Sequence, residues 1–180
     1  MRRACTLLAA LALAGCPAPA ESPEESPLDA VHAMRAHADR GEWNAYWDRF
    51  SERGKGWFIG RVATAFAWDA YAQPIDPSQG EPSRRFLEKY DLTKEKLWRR
   101  EEETADQACR RAARHMGRRG PRFCRELFAK RDFGPFPEDA AACVLEQTGD
   151  QAIVELAEEF RVAWRRIDGR WRCDGEPGDP

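Results

Sequence analysis

Four cysteines and three histidines lie in the body of the chain, and their spacing limits the chemistry they could support. Cys109, Cys124, Cys143 and Cys173 form no Cys-x-x-Cys pair, so nothing points to a zinc site or to a thioredoxin-like redox step. His32 and His37 would stand about 140° apart on a helix and cannot share a ligand. His115 is isolated, and no His-Glu-x-x-His pattern occurs. Neither a Gly-x-Ser-x-Gly elbow nor a P-loop is present. Gly54-Lys55-Gly56 is too short to cradle a phosphate and reads as a turn before a helix. The residues therefore predict no metal, no cofactor and no catalytic set.

Charge is more informative. The chain of 180 residues carries 29 basic against 31 acidic side chains, a net charge of −2 that excludes a globally basic nucleic-acid binder. The charges are segregated, however. Between Cys109 and Arg131 lie Arg110, Arg111, Arg114, Arg118, Arg119, Arg122, Arg125, Lys130 and Arg131 against the single acid Glu126. From Pro137 to Phe160 there are seven acids and no base. The two segments could neutralise each other inside the fold. Alternatively, Arg110, Arg111, Arg114, Arg118, Arg119 and Arg122 could dock an anionic surface: phospholipid headgroups, lipopolysaccharide phosphates or an acidic protein partner.

The N-terminus says where such a surface would be met. Arg2 and Arg3 precede an apolar run from Ala4 to Leu13, too short to span a bilayer. Leu13-Ala14-Gly15-Cys16 follows and resembles the lipobox of bacterial lipoproteins. The resemblance implies diacylglycerol on the Cys16 thiol, cleavage after Gly15 and acylation of the new amino terminus. Several acyl chains hold a protein at a membrane as one cannot. Pro17 stands where Asp would retain a lipoprotein in the inner membrane, which implies the outer membrane, facing the periplasm. Residues 1–15 are then a signal peptide. Residues 16–27, rich in Pro and Glu, read as an extended tether, 28–174 as one domain and 175–180 as a loose tail. In that oxidising compartment the four remaining cysteines would form two disulfides.

The domain begins with helices. Ser26-Pro27-Leu28-Asp29 supplies a hydroxyl cap, Pro in the first turn and an acid at the N-terminus, and Gly41 closes the helix. Trp43, Tyr46, Trp47 and Phe50 form an aromatic stripe at helical spacing, continued by Phe58, Val62, Ala65, Phe66 and Trp68. After a Pro-rich loop, Ser83 and Thr93 could cap two more helices, the second running from about Lys94 to Met116. Gly120-Pro121 opens a short helix through Lys130.

From Ala141 the period changes to two. Asp168-Gly169 and Gly149-Asp150 are hairpin turns, and a loop at Ala157-Glu158-Glu159 joins them. The resulting register pairs Trp164 with Cys173, Arg166 with Trp171, Val154 with Val162, Leu156 with Phe160, Leu145 with Val154 and Cys143 with Leu156. Every large apolar residue except Ile153 and Ile167 then falls on one face. The prediction is an α+β domain in which N-terminal helices pack on one face of a C-terminal four-stranded antiparallel meander. That register keeps Cys143 three strands from Cys173, beyond the ~7 Å that a disulfide spans. Bridges from Cys109 and Cys124 to the two sheet cysteines are expected instead, with a local Cys109–Cys124 bond as the rival.

Gly41-Glu42-Trp43-Asn44-Ala45-Tyr46-Trp47 and the closing Trp164-Arg165-Arg166-Ile167-Asp168-Gly169-Arg170-Trp171 together resemble the NTF2-like (SnoaL-like) secreted domains. That resemblance implies a cone-shaped pocket between sheet and helices, a small-molecule carrier or enzyme, and an Asp/His pair for which Asp48 with His32 or His37 is the only early choice. The residues themselves favour a lipid-anchored, non-enzymatic binding or structural module.

Overall fold

The computed structural model describes residues 24–71, 80–93, 100–129, 142–157 and 160–178. Cys16, the signal segment, Trp98, Lys130, Arg131 and the Glu158-Glu159 loop lie outside them. The helices are α1 (Pro27–Asp39), α2 (Trp43–Asp48), α3 (Glu52–Tyr71), α4 (Glu81–Lys89), α5 (Ala105–Met116) and α6 (Gly120–Phe128). A single 3-10 turn at Gly117–Arg119 joins the last two. The strands β1 (Cys143–Thr148), β2 (Gln151–Ala157), β3 (Phe160–Ile167) and β4 (Arg170–Gly175) form one antiparallel sheet in the order β1-β2-β3-β4. This is the α+β meander that the sequence predicts.

α1 forms because its first turn satisfies itself. The Ser26 hydroxyl accepts the Asp29 N–H while the Asp29 carboxylate accepts the Ser26 N–H, and Pro27 needs no donor there. The chain is held even before this cap. Glu25 takes the Arg49 guanidinium at 2.5 Å and the Trp171 N–H at 3.1 Å, and Glu24 meets Arg166 at 3.2 Å. The tether expected to run to Pro27 is therefore docked from Glu24 onward. The tail is docked too: the Glu176 carbonyl accepts from Arg53, and Gly175 lies against the Trp57 ring.

Three helix starts differ from expectation. Gly54 and Gly56 lie inside α3, which begins at Glu52, rather than in a turn before it. α4 begins at Glu81 with Gly80 as its cap, and Ser83 instead donates to Asp69. α5 begins at Ala105, where Thr104 and Gln107 form a reciprocal capping box. Residues 100–104 ahead of it are not helical, so the single helix expected from Lys94 to Met116 is interrupted there, and residues 94–99 after Thr93 lie outside the described residues.

α1 and α3 cover one face of the sheet, and α4 and α5 pack on α3. Ala152, Val154, Leu156, Val162, Trp164, Trp171 and Cys173 point inward from the strands. They meet Phe50, Phe58, Tyr46 and Ile59 in a continuous core. Phe123 of α6 closes the far side, with Phe58, Phe86 and Tyr90 rings 5.1–6.0 Å from its own.

The register of β3 with β4 matches the expectation: Trp164 faces Cys173 and Arg166 faces Trp171, around a turn in which Asp168 and Gly169 both have positive φ. Val154 likewise faces Val162. Two bulges correct the rest. Between Val144 and Glu146 the ladder shifts, so Val144 rather than Leu145 faces Val154, and Cys143 faces Glu155. Leu145 is thereby left exposed. Between Glu155 and Ala157 the ladder shifts again, so Ala157 rather than Leu156 faces Phe160. A bulge adds one residue to one strand and re-aims every side chain beyond it, which simple alternation does not register. Residues 49–51 run beside β4 in parallel, with Ser51 N–H donating to the Cys173 carbonyl and Cys173 N–H to the Arg49 carbonyl. That pairing covers part of an edge that would otherwise stay open.

Candidate functional site

The arginine-rich segment folds as the α5–α6 corner, and the structure divides its members into two groups. Arg111 is committed to the fold: its Nε and Nη2 lie 2.9 and 2.8 Å from the two Glu103 oxygens. This bidentate contact holds the Glu103 carboxyl down at about 2. Arg110 pairs with Asp106 at 2.7 Å and Arg122 with Glu126 at 3.0 Å. Arg119 donates to the His115 carbonyl at 3.0 Å. Arg114, Arg118 and Arg125 are exposed, and among the described residues no carboxylate lies within 4.0 Å of any of them. The carboxylate partners of the paired arginines are all local acids, Glu103, Asp106 and Glu126. The acids of the sheet pair elsewhere, Glu155 with Arg161 and Asp150 with Arg166. Mutual neutralisation of the two oppositely charged segments is therefore not how the described residues are arranged.

Glu126 ties α6 to α4. Desolvation raises its carboxyl, but hydrogen bonds from Lys89 and Arg122 outweigh it and hold the group down at about 2. Carboxyl groups depressed in the folded state stabilise it above their unfolded value near 4.5, and that contribution disappears as pH falls through the folded value. Urea midpoints are accordingly expected to stay level from neutral pH to about 5 and to fall between about 4.5 and 2. The double variant Glu103→Gln, Glu126→Gln should flatten that fall; an unchanged slope would show that these pairs contribute nothing.

The four described cysteines, Cys109, Cys124, Cys143 and Cys173, are free thiols in the structure. The expected helix-to-sheet bridges are not made, and neither is a Cys109–Cys124 bond. Cys124 and Cys173 are enclosed separately in the core, and burial pushes both thiols up, Cys173 to about 12. Cys143 is exposed at the start of an edge strand, at the opposite side of the sheet from β4. The geometric exclusion of Cys143–Cys173 thus agrees with the strand order.

The Asp/His pair implied by the NTF2-like resemblance is not assembled. His32 and Asp48 are exposed, and His37 Nδ1 lies 2.6 Å from Glu42, which Arg40 also binds. Trp164 and Trp171, where a pocket between sheet and helices would open, are both buried in the same core as Phe50, Phe58 and Tyr46.

The structure also builds a polar cluster absent from the sequence reading. Asp174 is buried at the end of β4 and accepts from the Ser51 hydroxyl. Its Oδ2 lies 3.1 Å from Arg165 and 3.7 Å from Arg53. Ser51 meanwhile accepts the Gly54 N–H and so caps α3. The cluster floors a cleft of about 380 Å³ on the open face of the sheet, with Glu146, Thr148 and Gln151 on its rim. Arg165 and Arg53 share the Asp174 carboxylate, and Arg53 also lies 4.0 Å from Asp106, which marks the cluster as a lock between β4 and α3. The signal available in the sequence was an acid following Arg170 and Arg172 in a strand read as wet.

Among the described residues no helix is long and apolar enough to cross a membrane. No family model matches this chain, and neither a curated protein nor a solved structure does.

Proposed function

We propose that this chain is a lipid-anchored protein of the cell envelope whose domain docks, without catalysis, on an anionic surface through the α5–α6 corner. The observation that carries this reading is the set of exposed arginines, Arg114, Arg118 and Arg125, that meet no carboxylate among the described residues, in a chain whose net charge is only −2. The lipobox-like Leu13-Ala14-Gly15-Cys16 supports the anchor. Eight residue steps lead from Cys16 to Glu24, where the domain begins to be held, a span of at most about 28 Å. An anchor on so short a leash keeps the corner close to headgroups and to whatever is bound at them.

Two measurements test it. Cys16→Ser should abolish incorporation of labelled palmitate and leave the precursor uncleaved; a Cys16→Ser chain of mature mass that still partitions with membranes would remove the anchor from the proposal. The domain from Glu24 onward should bind phosphatidylglycerol vesicles at low salt. The triple variant Arg114→Glu, Arg118→Glu, Arg125→Glu should weaken that binding more than tenfold, and salt should erase the difference. Arg110→Glu, whose arginine is already paired, should have the smaller effect. Equal retention of wild type and triple variant would sink the docking surface.

A further inference from the structure

α3 and α5 diverge beyond their closest approach and leave a groove of about 680 Å³, a volume typical of small-molecule sites. Gly60, Thr64, Ala65, Ala108 and Ala112 line it with small side chains, between Trp57 at one end and Trp68 at the other. Trp68 is 61% exposed, an unusual position for a large apolar side chain.

Two observations say what the groove is shaped for. The first is Gly60. It stands in the middle of a 20-residue helix, where glycine costs up to about fivefold in helix formation relative to alanine. Elsewhere in α3 a reason for glycine is visible, since a Cβ on Gly56 would lie 1.8 Å from the Cys109 carbonyl oxygen. A Cβ on Gly60 would meet no atom within 4 Å. Packing inside the protein does not require glycine there, yet its absent side chain deepens the groove.

The second is Arg61. Its guanidinium lies 5.5 Å from the Trp57 ring and 4.7 Å from the Phe160 ring, and those rings stack on each other at 6.4 Å. A cation held over ring faces in this way is placed by the aromatic pair without being neutralised by it. No carboxylate among the described residues lies within 4.0 Å of it, including Glu176, which lines the same groove. An apolar groove beginning at a cation that no carboxylate among the described residues neutralises is complementary to an amphiphile with an anionic head. Glu176 makes a doubly charged head unfavourable, so a single carboxylate fits better than a phosphate. From Arg61 to Trp68 the helix rises seven residues, about 10 Å, which suits a medium alkyl chain.

We propose that the groove between α3 and α5 binds a free medium-chain carboxylate, with its head on Arg61 and its tail across Gly60, Ala65 and Ala112 toward Trp68. A concave floor takes one chain at a time, whereas insertion into a bilayer would need a protruding apolar surface.

The test is a titration of the mature chain with decanoate below its micellar concentration, read by tryptophan emission. Brominated decanoate serves as a quencher, and decanol and decylammonium as controls. Decanoate should bind saturably at one site, more tightly than decanol, and decylammonium should bind least. Arg61→Gln should weaken decanoate about tenfold and leave decanol unchanged. Gly60→Leu should abolish binding of both, and because its new side chain meets open space, its thermal midpoint should not fall below wild type. A response that does not saturate would overturn the proposal, as would Gly60→Leu binding like wild type, or decylammonium equalling decanoate. A change seen only on dimerisation in light scattering, or only with vesicles, would assign the groove to a second copy or to a bilayer and would equally overturn it.

Discussion

Gly56→Ala is expected to destabilise the protein by about 2–4 kcal/mol, while Gly60→Ala, one helical turn later, should stabilise it by about 0.5–1 kcal/mol. Both replace glycine by the best helix former inside α3, so propensity alone predicts the same gain twice. Tertiary contact separates them. At position 56 the added methyl would sit 1.8 Å from the Cys109 carbonyl oxygen and 2.5 Å from its Cα. Those are backbone atoms of α5 and cannot swing aside as a side-chain tip would. α3 and α5 would have to move apart, loosening Ala112 and Ala113 on one side and Phe58 and Ile59 on the other, all buried. At position 60 the methyl enters the groove and touches nothing. Urea unfolding of both variants settles the matter. Equal midpoints would mean that the helices do not approach as described.

The second large effect is expected at Asp174, where Asp174→Ala should cost about 2–4 kcal/mol. The carboxylate accepts the Ser51 hydroxyl and faces Arg165 and Arg53. Its removal leaves two guanidinium groups facing each other across a buried gap and frees the hydroxyl that caps α3. Arg165 remains partly in solvent, which keeps the cost below that of a fully enclosed pair. Asp174→Asn retains an acceptor for Ser51 but loses the charge, so it should fall between alanine and wild type. Amide exchange at Cys173 and Ser51, whose backbones bond across this junction, should accelerate first in both variants. An Asp174→Ala protein as stable as wild type, with unchanged exchange there, would show that the cluster locks nothing.

Features set by neighbours in the chain were legible in the sequence. Ser26 through Asp29 contain every group of the α1 cap, and Asp168-Gly169 contains the only residues whose conformation the β3–β4 turn requires. The pairings of Trp164 with Cys173 and Arg166 with Trp171 follow from that turn by counting. The arginine cluster was equally plain, since it is a matter of composition. Counting failed where a strand bulged: Leu145 was assigned to the core and lies at the surface, because the shift near Val144 is decided by packing under the sheet rather than by alternation.

Tertiary structure alone decided what each charge and each glycine does. Arg111 and Arg114 look alike in the sequence, but Glu103 engages only the first with both of its oxygens. Gly56 and Gly60 are equivalent by spacing, and only the position of α5 makes one a contact and the other an opening. Asp174 reads as one more polar residue on a wet strand face until residues 49–51 run beside β4 and bring Ser51 and Arg53 to it. Local hydrogen bonding and periodicity act over a few residues, so one chain states them in full. Partner choice among distant side chains depends on which surfaces the core brings together, and a chain read in order does not contain that distance.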